Sequence, residues 1–219
     1  MSGINVFQDL ILTGSEAGRD ALAAALQQQS PSPWRYDAEG SAQAEHNALG
    51  DKGILIFERS GADDLPAARL VLWPQDAGYY VPNVTPVEMG QLTISQYNAV
   101  LADFAEAVAK PIARRFGFTV SMTSANQNLE DWLSPEAAIA LRRFCGAANK
   151  SSGASHPMDE RRWFDFIIVV HRTGKRIGPD YLARWLHEVE GWDEQTAHDL
   201  AAEFERGVAL LDRYVETTC

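Results

Sequence analysis

Ile4, Val6, Leu10 and Leu12 all fall on even positions, the period of a strand with one buried face, so a strand is expected over Ile4–Leu12. Thr13-Gly14-Ser15 reads as a turn, and Ala21–Gln29 is rich in Ala and Leu, as a helix would be. Ser30-Pro31-Ser32-Pro33 stops that helix. Three short apolar runs follow, Gly53–Phe57, Ala68–Trp73 and Tyr79–Val84. Their close spacing predicts an antiparallel meander. Pro82 has no N–H for a ladder, which puts the third run at a sheet edge.

Thr93 and Gln96 have the spacing of a capping box. Tyr97, Leu101, Phe104, Val108, Ile112 and Phe116 then recur at helical spacing. The helix is expected over Thr93–Phe116, kinked at Pro111 and ended by Gly117. Phe118–Met122 returns as a strand. The order β-α-β-β-β-α-β is an α+β arrangement, a mixed α/β layer with a largely antiparallel sheet.

From Asn126 onward the strand signals fade. Ser134-Pro135-Glu136 is a strong helix start, and that helix runs to about Ala148. His156-Pro157-Met158-Asp159-Glu160 starts a second and Gly178-Pro179-Asp180 a third. Asp193 caps a fourth, with Ala197, Leu200, Ala201, Phe204, Val208, Leu211 and Val215 as its apolar stripe. Phe164–Val170 has enough β-branched residues for a strand, but the strong start and the Arg161/Asp165 spacing favour helix. The expected organisation is an α+β sheet domain over residues 1–125 and a four-helix subdomain over 126–219 packed on it.

The composition narrows the function classes. The 219 residues are 46% hydrophobic and 22% charged, with a net charge of −11, which is ordinary for a globular chain. Net negative charge argues against general coating of nucleic acid. No apolar run approaches the roughly 18 residues of a membrane span. Met1–Gly14 lacks a basic segment and carries Asp9, unlike a secretory signal. Cys145 and Cys219 make neither a disulfide framework nor a zinc pair. A soluble protein of a reducing cytoplasm, without metal or cofactor, is expected.

The charge is uneven. Arg142–Arg176 holds eight basic residues against three acids, a net of +5; Ile177–Cys219 holds three against ten, a net of −7. Inside the basic window lies Asn149-Lys150-Ser151-Ser152-Gly153-Ala154-Ser155-His156-Pro157, a polar loop ending at a helix start. Free N–H groups there favour an anion. The candidate ligand residues are Asn149, Lys150, Ser151, Ser152, Ser155, His156, Arg161 and Arg162. In the blander reading, Ser155 or His156 caps its helix and the +5 window pairs with the −7 segment.

Other motifs carry less. Thr13–Arg19 follows a strand but fits neither the Walker nor the dinucleotide pattern. His187, Glu190 and His198 match no metal motif, although a site bridging two helices would use them, and the adjacent acids Glu130 and Asp131 before a helix are a candidate pair for binding a metal or abstracting a proton. Cys145 lies among Ala140, Leu141, Phe144 and Ala148, which suits a buried thiol better than a nucleophile paired with His156 or His171. Trp132, Trp163, Trp185 and Trp192 are expected to build the helical core with indole N–H groups at its rim.

Three functional readings follow. The first is a binding or accessory protein whose 142–176 region engages a phosphate-bearing small ligand or an acidic partner segment. The second is a hydrolase or transferase acting on a phosphate-containing substrate or a nucleic-acid end, with His156 as acid or base. The third is an immunity, antitoxin or phage-defence-associated protein whose acidic surface covers a basic partner.

Overall fold

The computed structural model describes residues 3–48, 52–62 and 65–218. The expectation for Cys219 lies outside them. The fold is α+β, with a six-stranded antiparallel sheet and a helical C-terminal part. Contacts divide the chain into two compact units: Val6–Ala125, and the residues up to Asn5 together with those from Asn126 on.

In chain order, β1 is Ile4–Asn5, β2 Leu10–Thr13, α1 Glu16–Gln29, β3 Trp34–Tyr36, α2 Ala38–Asn47 and β4 Leu55–Arg59. Next come β5 (Ala68–Gln75), β6 (Gly78–Pro86), α3 (Ile94–Phe104), α4 (Lys110–Ala113) and β7 (Thr119–Met122). The sheet of the first unit has the order β3-β4-β5-β6-β2-β7. Alternation puts one set of side chains into the core, although in β4 Leu55, Ile56 and Phe57 are buried in succession. Leu10 and Leu12, Leu55 and Phe57, Leu70 and Leu72, and Tyr79 and Val81 are buried with Leu22 and Leu26 of α1. Tyr97, Val100, Leu101 and Phe104 of α3 complete this core. The capping box forms, with Thr93 Oγ1 accepting from Gln96 N and Gln96 Oε1 from Thr93 N.

Two glycines permit close approaches. A Cβ on Gly14 would meet the Phe118 ring at 2.4 Å, and one on Gly78 would meet the Leu12 carbonyl oxygen at 1.8 Å. The Gly14 turn thus serves packing.

Several expectations change. The alternating run over Ile4–Leu12 is two strands: β2 joins the large sheet, while β1 pairs with β8 (Asn126–Gln127). β3 and α2 were not expected. β6 is interior, although it contains Pro82. It pairs with β2 only at Tyr79 and Tyr80, and its register against β5 shifts between Val71 and Trp73, so Pro82 sits where the ladder is irregular. Pro111 is accommodated by a π-turn over Ala105–Ala109, in which Lys110 N reaches Ala105 O.

The second unit holds α5 (Leu129–Trp132), α6 (Pro135–Ala147), α7 (Pro157–Thr173), α8 (Pro179–Arg184) and α9 (Glu194–Thr218). Ser134 Oγ caps α6 by accepting from Ala137 N at 3.2 Å. Phe164–Val170 is helical, inside α7. The core is a chain of rings. Trp192 stacks on Phe144 with centroids 5.4 Å apart, Phe144 meets Trp163 at 4.8 Å, Trp163 meets Phe166 at 5.2 Å, and Phe166 stacks on Phe204 at 5.4 Å. The indole N–H groups do not all reach the rim. Trp185 Nε1 donates to Glu190 Oε1 at 3.4 Å, but the buried indole nitrogen of Trp163 finds no hydrogen-bond acceptor among the described residues. No helix among the described residues is long and apolar enough to cross a membrane.

Candidate functional site

The polar loop between α6 and α7 is closed on itself. Asn149 begins a 3₁₀ turn over Lys150–Ser152; its Oδ1 accepts from Ser151 N at 3.1 Å and Ser151 Oγ at 2.7 Å. Ser152 Oγ donates to Asn149 O at 3.1 Å. Gly153 and Ala154 take left-handed φ values of 63° and 58°, turning the chain so that Ala154 N reaches Asn149 O. His156 caps α7, its Nδ1 accepting from Met158 N at 3.2 Å.

The cations of the loop also turn inward. Lys150 Nζ donates to the Glu190 carbonyl and lies 5.9 Å from the centroid of the Trp192 ring. Arg162 donates to Asp159 Oδ1 at 2.7 Å, and the other oxygen of this buried carboxylate accepts from Asn149 N. Of the eight predicted residues, Asn149, Ser151 and Ser152 are joined to one another. Lys150, His156 and Arg162 serve the ends of helices. Ser155 and Arg161 are exposed, with no side-chain partner among the described residues.

The wider basic window shows the same economy. Arg142 pairs with Glu130 at 2.6 Å and Arg172 with Glu136 at 3.3 Å, while Lys175 donates to Glu130 O. Arg176 grips Asp212 with two bonds of 2.7 Å, and His171 Nδ1 lies 3.0 Å from the same carboxylate. Arg176 first, and His171 after it, hold the Asp212 carboxyl below the ordinary range. The partners come from the window itself, from before it and from after it, so the −7 segment supplies only some of them. Arg143 and Arg161 are the two cations of the window left without an internal partner among the described residues.

Other candidates resolve locally. Cys145 is buried, and desolvation with help from Glu190 pushes its thiol up to about 12. A thiol so raised carries almost no thiolate near neutral pH. His187 Nδ1 lies 2.9 Å from Trp192 O. No three His, Cys, Asp or Glu side chains among the described residues are gathered as a metal would need.

The chain matches no family model, no curated protein and no solved structure with which it was compared. Function must therefore be argued from the surface that the internal bonding leaves over.

That surface is the outer side of the α6–α7 hairpin. Ile139 of α6 is 65% exposed, and Phe164 and Ile168 of α7 are each 48% exposed. Ile139 lies one turn from Glu136, and Ile168 one turn from Arg172; the Arg172–Glu136 ion pair joins the two outward stripes. Arg143 and Arg161 flank these apolar residues. Sequence reasoning missed Ile139, Arg143, Phe164 and Ile168. A signal was present: Trp163, Phe164, Phe166, Ile167, Ile168, Val169 and Val170 wrap apolar residues around α7 further than one buried face requires.

Because Lys150 joins the loop to the turn before α9, Lys150→Ala should lower stability by about 1–2 kcal/mol, from a charged hydrogen bond and a ring contact. Urea unfolding measures it; an unchanged midpoint would refute the inward role.

Proposed function

We propose that this is a binding or accessory protein that engages an acidic partner segment through the 142–176 region, using the outer face of the α6–α7 hairpin. One observation carries the reading. Arg143 and Arg161, which have no internal partner among the described residues, lie one helical turn from the exposed Ile139 and Phe164 respectively, and Ile168 is exposed on the same helix as Phe164. Exposed apolar groups rimmed by charge are the usual composition of a docking surface. The phosphate-pocket form of the reading has less support, because Lys150, Ser151, Ser152, His156 and Arg162 already bond within the chain.

A short helical peptide of leucine and glutamate is a suitable probe. The Arg143→Glu, Arg161→Glu double variant should bind it at least about tenfold more weakly, since two such contacts are together worth about 1.4 kcal/mol or more. Equal affinity of the folded variant and the native chain would refute the proposal.

A further inference from the structure

Four residues of α7, Met158, Arg161, Asp165 and Ile168, lie on one exposed line at positions i, i+3, i+7 and i+10; Arg172 continues it at i+14 and is held by Glu136. This is the three-four spacing that lets one helix lie along another. All four are exposed; Met158 is 49% and Ile168 48% exposed. Arg161 and Asp165, although one helical turn apart, form no ion pair, and among the described residues neither has any other partner. These four residues are antisymmetric in charge and symmetric in apolarity about position 163. An identical helix running the opposite way places Met158 on Ile168, Arg161 on Asp165, and Phe164 beside the centre. A stripe of mixed sign that answers itself in this way is what a two-fold interface requires.

We infer that the partner of this face is a second copy of the chain, with the two α7 helices packed antiparallel across a two-fold axis. The inference rests on the docking reading above and deepens it: the acid met by Arg161 is Asp165 of the partner subunit. Ile139 and Arg143 of α6 flank the seam. An acidic segment of another protein would also answer Arg143 and Arg161. It would leave Asp165 facing like charge, however, whereas a second copy satisfies both signs.

Sedimentation velocity over a range of protein concentrations tests this. The native chain should move from monomer to dimer as concentration rises. Arg161→Asp alone and Asp165→Arg alone each set like charges opposite one another and should raise the dimer dissociation constant at least about tenfold. The double variant Arg161→Asp, Asp165→Arg restores the opposition of signs and should dimerise like the native chain, a rescue that a folding defect would not produce. A native chain that stays monomeric throughout, or a double variant no better than the singles, overturns the inference. If that monomer still binds the leucine–glutamate peptide through Arg143 and Arg161, only self-pairing falls. If it does not bind the peptide either, the docking reading falls with it.

Discussion

Replacing Asp103 with alanine should destabilise the sheet unit by about 3 kcal/mol, the lower end of the cost of stripping one partner from a buried ion pair. The Arg59 side chain is 1% exposed, and its Nε donates to Asp103 Oδ2 at 2.9 Å. The same oxygen accepts from Trp34 Nε1 at 2.8 Å. Arg59 Nη1 holds the following turn through the carbonyls of Ser60, Ala62 and Leu65. Without the carboxylate, a buried guanidinium and an indole N–H lose their acceptor together. Asp103 is itself 29% exposed, so water can enter and moderate the loss. Urea unfolding should show the full drop for Asp103→Ala and a clearly smaller one for Asp103→Asn, which keeps an oxygen in place. A drop below about 0.5 kcal/mol, the scale of an ordinary surface substitution, would show that the pair does not anchor this end of the sheet.

Phe144→Ala should cost about 3–5 kcal/mol, the range for deleting a buried aromatic side chain. Phe144 is fully buried and touches both Trp163 and Trp192, so its loss opens the middle of the ring chain. Trp163→Phe is the informative contrast. It also removes ring volume, but it deletes a buried N–H that has no acceptor among the described residues. An unsatisfied buried donor costs about 1–3 kcal/mol, so its removal offsets much of the lost packing. The Trp163 variant should therefore unfold at a urea midpoint much nearer the native one than Phe144→Ala does. Equal losses would mean that the indole N–H has a partner in solution.

The local signals show which parts of this fold the chain declares on its own. Thr93 with Gln96, Ser134 before Pro135, and His156 before Pro157 each start a helix where expected, because a cap is a matter of a few adjacent residues. Longer-range facts were hidden. Ile4, Val6, Leu10 and Leu12 keep one phase of alternation across two separate strands, so periodicity cannot see the break. α2 buries only Ser41 and therefore has no apolar stripe to announce it. β3 is three residues long, directly after a proline-rich stop. At the candidate site, counting charge located the basic window but could not tell spent cations from free ones. Lys150 is held by a hydrogen bond to a backbone carbonyl forty positions away, which no charge count includes.

The division between spent and free cations can be measured with two double variants, each examined by urea unfolding and by titration with the leucine–glutamate helical peptide. Lys150→Ala, Arg162→Ala should lose stability and keep its affinity for the peptide. Arg143→Ala, Arg161→Ala should keep its stability and lose its affinity. The opposite pattern, with affinity lost at Lys150 and Arg162 in folded protein and retained without Arg143 and Arg161, would contradict the assignment and return the site to the loop.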